Sequence, residues 1–308
     1  MRIVFMGTPD YSVKTLEALL CAGHTVVGVF AQPDKPVGRK HILTPPPVKV
    51  CAENRGIPVF QPNTLRDGEA FKILEELNPD IIVVVAYGKI LPKEILELPK
   101  YGCINGHASL LPKYRGASPI QWCIVCGETK TGVTTQIMGE GIDTGDILEM
   151  AETDIGNEET AEQLFERLSV ISADLMVSTV EKLSKGEITP KPQNHEKATY
   201  APILKKEMAQ LDFSKSAKEL HNAVRGYYSW PCAFFFINGK RVKVIESRVG
   251  GKCNGVAGAV VGNTDELVIA CGDGTSLRLI TVQPEGSKPM HSGQMLKGHP
   301  IELGTVVG

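Results

Sequence analysis

The sequence predicts an α/β protein: a Rossmann-like, mostly parallel sheet in an N-terminal domain, followed by a small OB-like β-barrel. Three observations carry this. Apolar runs alternate with helix-period segments over the first 90 residues, with short connections between them. The run "DIIVVVAYG" (80–88) is almost wholly apolar and β-branched, as in a strand covered on both faces. Beyond residue 207 the pattern changes to β-rich runs at even spacing, broken by glycine turns.

The elements follow in order. "RIVFMG" (2–7) is a first strand. In the next segment Val13, Leu16, Leu19 and Leu20 fall at helical spacing, with Gly23 as its C-terminal stop. "TVVGVFAQ" (25–32) and "IPVFQP" (57–62) are strands, and 48–56 and 65–79 are helices. "GCINGHAS" (102–109) is a strand, 118–128 a helix, and "GVTTQIM" (132–138) and "GDILEM" (145–150) are two more strands. Ala161, Leu164, Leu168, Ile171 and Leu175 mark a long helix. Residues 187–207 carry several prolines and no period, and read as a linker. The expected domains are therefore 1–186 and 208–308. In the second, "CAFFFI" and "RVKVIESRV" flank an Asn-Gly turn at 238–239, the signature of a hairpin.

The 308 residues are 42% hydrophobic and 22% charged, ordinary for a globular chain. No apolar run is long enough to span a membrane, and the first strand begins at once, so no targeting segment is expected. Eight scattered cysteines suit a reducing cytoplasm. The net charge of −2 is uneven. Residues 205–308 hold 13 Lys+Arg against 9 Asp+Glu, and the rest of the chain has a net −6. The tail domain thus leaves room for a polyanion, although a bias this small also arises by chance.

Each motif has a plain reading beside a functional one. "FMGTPD" has only Gly7 where a dinucleotide loop needs three glycines, and Thr8 and Asp10 are expected to cap the first helix. "CIVC" (123–126) has the spacing of half a zinc site, but it lies in an amphipathic helix with no second pair. Residues 34–49 form a 16-residue connection where two to six are usual. It carries Lys35, Arg39, Lys40 and Lys49 against Asp34, and Pro45 to Pro47 stiffen its end. It reads either as a substrate-touching loop or as a solvated insertion.

Asn105 and His107 share one face of a strand, since residues i and i+2 point the same way. Together they could hold a carbonyl oxygen as it becomes an oxyanion. A lone histidine there would more often be a core residue. "GEGIDTGDI" (139–147) adds Asp143 on a glycine-rich turn, and an aspartate can fix an imidazole's tautomer. An Asn–His–Asp set with no serine nucleophile suits acyl-type transfer in which an amine substrate attacks.

The segments "NGHASLLPKYRGASPIQ" and "GVTTQIMGEGIDTGDIL" resemble the folate-dependent formyltransferases. "GVFAQPDKPVGRKHILTPPPVKV", "VVVAYGKILPKEIL", "YYSWPCAFFFINGK" and "VQPEGSKPM" are similar to the members that act on a charged tRNA, so the resemblance covers nearly the whole chain. Gly106 stands where a β-branched residue is usual in that family.

The resemblance implies 10-formyltetrahydrofolate as donor and the α-amino group of methionine on initiator tRNA as acceptor, with no metal. It implies that Asn105 and His107 bind the formyl oxygen and that Asp143 orients His107. It implies a folate site lined by Tyr87, Gly88, Lys89, Ile90 and Leu91 together with Ser109, Leu110, Leu111 and Pro112. It also implies that Lys35, Arg39 and Lys40 meet the tRNA acceptor arm, Arg39 foremost, and that the chain is a bacterial cytoplasmic enzyme and a monomer. Two rivals stay open: a same-fold formyltransferase acting on a small amine such as an amino sugar, and a hydrolase using Cys103 with His107 and Asn105.

Overall fold

The computed structural model describes residues 1–38 and 40–308; Arg39, the foremost expected tRNA contact, lies outside the described residues. The chain forms two compact units. The first holds residues 1–119, 130–153 and 165–201, and the second holds 120–129, 154–164 and 202–308.

The first unit opens with β1 (Arg2–Gly7), α1 (Asp10–Cys21) and β2 (Thr25–Phe30). A short hairpin follows, β3 (Lys35–Val37) and β4 (Ile42–Thr44). Then come α2 (Pro47–Glu53), β5 (Val59–Phe60), α3 (Glu69–Leu77), β6 (Ile81–Val85), α4 (Lys93–Leu96), β7 (Cys103–His107) and the two-residue β8 (Arg115–Gly116). After α5 (Pro119–Val125), which falls almost wholly in the second unit, β9 (Lys130–Ile137) and β10 (Ile147–Asp154) complete the sheet. The long α6 (Ala161–Lys185) and β11 (Tyr200–Ala201) end this half of the chain.

The sheet order is β10-β9-β7-β6-β1-β2-β5. From β5 to β7 the pairs are parallel, whereas β9 runs antiparallel to β7. All five residues of β6 are buried, as expected of a central strand flanked by helices. The chain moves outward from β1 to β2 and β5, then returns to lay β6 on β1's other side. The crevice at the carboxyl ends of β1 and β6 is therefore a topological switch point, the usual ligand position in such sheets.

Two local expectations are corrected. Neither Thr8 nor Asp10 caps α1: the cap position is Pro9, with no side-chain bond, Asp10 is the first residue of the helix itself, and Thr8 Oγ1 instead donates across the switch point to Tyr87 O at 3.0 Å. The tertiary acceptor outcompetes the local one. Pro46 and Pro47 do not stiffen the basic loop but start α2, where a missing N–H costs nothing.

Residues 187–201 are tied down. Lys191 bridges Ile147, and β11 pairs in parallel with β8. No period announces this, because each contact reaches a partner far away in sequence.

The second unit contains α7 (Ala217–Gly226), which starts with a Ser216–Glu219 capping box. It is followed by β12 (Phe234–Ile237), β13 (Lys240–Lys252), β14 (Val260–Gly262), β15 (Leu267–Ala270), β16 (Thr275–Pro284), β17 (Met290–His291) and α8 (Ser292–Gly298). The antiparallel order is β12-β13-β16-β15-β14, with β17 on β16. Asn238 and Gly239 have φ of 50° and 74°, which allows the tight turn between β12 and β13. The register of β13 shifts three times against β16, so the strand bends and the sheet curls. The chain end bridges the two edges. Gly308 exchanges backbone bonds with Phe236 next to β13, while Thr305 O accepts from Val260 and Val307 N donates to Gly258. Inside lie Phe213, Leu220, Phe235, Val244, Leu267 and Leu279.

Candidate active site

β7 is the centre. Cys103 sits at its start in the core, and Asn105 and His107 project toward its end. Across the antiparallel pair Asn105 is level with Gln136 and His107 with Thr134. The opposite face is tight: a Cβ at Gly106 would lie 3.1 Å from Ser172 Oγ and 3.2 Å from Met176 Cε of α6, so those side chains would have to shift by a few tenths of an ångström. Glycine at 106 therefore lets α6 pack closely behind the strand.

The loop 139–145 brings Asp143 onto this face. Asn105 Nδ2 and Gln136 Nε2 donate to Asp143 Oδ1 at 3.3 and 3.0 Å, and the Gly116 amide donates to Oδ2 at 2.8 Å. His107 Nδ1 lies 3.5 Å from Oδ2. The two side chains are only 7% and 12% exposed, so this contact is little screened by water. His107 Nε2 is 2.9 Å from Tyr114 O. A carbonyl only accepts, so Nε2 is the donor in that contact and Nδ1 is the nitrogen turned toward Asp143. Asp143 has φ of +52°, a left-handed conformation rare outside glycine. A Cβ at Gly145 would lie 1.7 Å from Ile137 O, so only glycine lets the loop fold back onto β9. Gln136, Met138, Asp143, Thr144 and the loop glycines line a small cleft of about 20 Å³.

Two further layers were not visible in the sequence. Gln136 is 1% exposed and aims its amide at Asp143. A lone glutamine in an otherwise buried strand is a weak signal for it. Gln193, from the segment read as a linker, reaches the backbone of the same loop, and buried Arg115 donates to it. Nothing local marks that residue.

The segments expected to meet folate are placed as follows. Tyr87 is buried, and burial pushes its phenol up to about 12. Its carbonyl accepts from Thr8 and from Gln32 Nε2 at 3.0 Å, which fixes the backbone that leaves β6. Gly88 turns with φ of +82°, and Ile90 is 59% exposed. Lys89 donates to Pro62 O and Asn63 O, and Leu91 is buried. Ser109 is buried and donates to Lys113 O, so its hydroxyl shapes the turn. Leu111 is buried, while Leu110 and Pro112 remain half-exposed.

Of the basic loop, Lys35 and Lys40 are exposed. Lys49 is not available: its ammonium contacts both Asp34 oxygens at 3.0 Å and Gln61 at 2.8 Å. Bonds from Gln61 and Lys49 hold the Asp34 carboxyl below its usual value. Cys103 is 1% exposed, and burial pushes its thiol up to about 12. A thiolate nucleophile there is disfavoured. Cys123 donates to Ile120 O within α5, and Cys126 is exposed.

Residues 1–180 match the formyl transferase family, and residues 203–300 match the formyl transferase C-terminal domain. The methionyl-tRNA formyltransferase of Thermodesulfovibrio yellowstonii is 48% identical over 98% of this chain and 97% of its own length. That of Alkaliphilus oremlandii is 47% identical over the whole of both chains. Among solved structures, an N-formyltransferase from Helicobacter canadensis, in complex with folinic acid and dTDP-3-aminofucose, superposes with a TM-score of 0.68. It is 21% identical and covers 92% of this chain and 98% of its own, a likeness of fold.

Proposed function

The chain belongs to the formyl transferase family, and on that premise we propose that it transfers the formyl group of 10-formyltetrahydrofolate to the α-amino group of methionine on initiator tRNA. The observation that carries the chemistry is the convergence of Asn105 and His107 on the two oxygens of one largely enclosed carboxylate, Asp143.

The reaction needs three services. The formyl oxygen gains negative charge when the amine attacks the formyl carbon, and Asn105 Nδ2 is the donor placed to meet it. The attacking amine must lose a proton, and the His107–Asp143 pair supplies a basic site at Nδ1. The carbon–nitrogen bond to the folate then breaks. Its nitrogen takes a proton, leaving tetrahydrofolate and formylmethionyl-tRNA. Gly116 and Gln136 hold Asp143 still throughout, so little reorganisation is needed when charge develops.

The folate is assigned to the switch-point crevice, against the backbone of Tyr87 to Leu91 and the turn Ser109 to Pro112. The tRNA acceptor arm is assigned to the hairpin, through Lys35, Arg39 and Lys40, and to the basic barrel domain at 208–308. Such contacts position the arm through phosphates. The whole is read as a monomeric enzyme of the bacterial cytoplasm that serves translation initiation. Among the described residues no helix is long and apolar enough to cross a membrane.

The amino-sugar reading gives the exposed basic hairpin no task, and the N-formyltransferase complexed with dTDP-3-aminofucose is 21% identical where a methionyl-tRNA formyltransferase is 48% identical. The cysteine hydrolase reading needs a thiolate that burial of Cys103 disfavours. One assay separates all three: the purified chain is given 10-formyltetrahydrofolate with Met-tRNA, with an amino sugar nucleotide, or alone. Formyl transfer to Met-tRNA is expected. Transfer to the sugar alone would overturn the assignment.

A further inference from the structure

We propose that Gln193 is a positioning residue that holds the Asp143 loop in its reactive shape; this rests on the formyl-transfer reading above. The observation is a single buried amide with contacts on two sides. Gln193 is 5% exposed. Its Nε2 donates to Asp143 O at 2.9 Å and Gly145 O at 2.6 Å, and lies 3.3 Å from Gln136 Oε1. Its Oε1 accepts from Arg115 Nη2 at 2.6 Å and Nε at 3.2 Å. Arg115 is itself buried, and its Nη2 also donates to His195 Nδ1 at 3.0 Å.

The loop needs such a hold. Asp143 is in a left-handed conformation, which persists only where surroundings impose it. Gln193 grips the carbonyls on both sides of Thr144, so the Asp143 carboxylate is fixed through its own backbone. Its carboxylate contacts set where the charge points; Gln193 sets where the residue sits. Gln193 touches no reacting atom and acts through Asp143.

The contacts on the two sides can be separated. Gln193→Glu keeps an acceptor for Arg115 but turns a second oxygen toward the two loop carbonyls, replacing attraction with repulsion. Gln193→Met keeps the length and loses both sides, so one misfolded variant does not decide the matter. Steady-state transfer from 10-formyltetrahydrofolate to Met-tRNA is measured for the full chain, for both variants, for Asp143→Asn and for each double variant. Either single change at 193 is expected to lower kcat by roughly 10- to 100-fold with the folate KM within about threefold. In the Asp143→Asn background the same change should cost less than about threefold, because the effect travels through the missing carboxylate. Hydrogen exchange at the Gly116 amide, which donates to Asp143, should quicken at least about tenfold while the amides of β13 stay as they were.

A kcat within threefold of wild type in the folded 193 variants overturns the proposal. So does an equal loss in both backgrounds, which is the mark of a structural role. A wild-type chain that transfers no formyl group to Met-tRNA would instead sink the functional assignment, and it is read from the same plate.

Discussion

The Asp143 loop and the β3–β4 hairpin are both irregular connections of the same sheet unit, and they are built in opposite ways. Asp143 alone receives bonds from Asn105, Gln136 and Gly116, and its backbone is gripped by Gln193. The hairpin pairs mainly with itself, Lys35 to Thr44 and Val37 to Ile42. Val37, Ile42 and Leu43 are 56%, 63% and 63% exposed. A two-stranded ribbon of this size is marginal by itself. The contrast follows from the tasks proposed for each. Charge that develops on one atom needs dipoles already in place. A large polyanionic partner needs surface left free to meet it, and ordering can wait until it binds.

The sharpest break of this comparison is at β7. His107→Ala and Asn105→Ala should each lower kcat by roughly 100- to 1,000-fold, about 3–4 kcal/mol, as when an oxyanion donor or its proton partner is lost. Folate binding should change little. Equilibrium binding measured beside turnover checks this, and a rate within tenfold of wild type would remove the residue from the chemistry.

Asp143→Asn comes next, with an expected loss of about 100-fold in kcat. The shape stays and the charge goes. Circular dichroism and thermal melting should match wild type. An unchanged rate would leave Asp143 as a turn-former only.

The hairpin should respond differently. The double variant Lys35→Ala, Lys40→Ala should raise the KM for Met-tRNA by roughly 3- to 10-fold and flatten the salt dependence of tRNA binding, by a slope change of about 1–2 if phosphates are its partners. The folate KM should not move. Equal damage toward both substrates would mean the hairpin supports the sheet rather than the acceptor, and the contrast drawn above would collapse.

The smallest effect is expected at Cys103. Cys103→Ala should keep turnover within about twofold while losing roughly 1 kcal/mol of stability for the cavity it leaves. Its pH signature is specific. The folded thiol titrates at about 12 against 9.0 for an unperturbed one, so the folded state keeps a proton that the unfolded chain gives up. Stability from this group is complete below pH 9 and is lost as pH rises from 9 toward 12. Denaturant melts at pH 8 and pH 10 should show wild type losing roughly 1 kcal/mol more than the variant over that interval. Identical losses would mean that the thiol is less buried than the structure has it.

Much of the fold was legible because local periodicity and burial agree. The alternation over residues 2–88 predicts a parallel sheet, and all five residues of β6 are buried. The Asn-Gly turn predicts its hairpin because φ is positive at both residues. The candidate site was half legible. Asn105 and His107 share a face by parity alone, and a glycine-rich turn pointed to Asp143. Thr8 departs from its expected capping role because such a role is set by chain neighbours, whereas its acceptor at Tyr87 lies 79 residues away. Lys49 adds to the loop's basic count in the sequence, but Gln61 and Asp34 close on it, a convergence that linear order does not show.

The sequence by itself determined which residues could do chemistry: one amide, one imidazole and one carboxylate, each on an element whose pattern is local. It also determined the glycines that let the loop close, since a backbone position that excludes a Cβ admits little else. Only the tertiary structure decided how those groups are held. Gln193 stands 48 residues beyond Gly145, in a segment without period, and it reaches the loop where Lys191 and Ile147 exchange backbone bonds close by. Arg115 is buried with its acceptors, Gln193 and His195, supplied by that same segment. Such contacts leave no periodic trace, because what selects the residue is a partner distant along the chain and not the geometry of its own element.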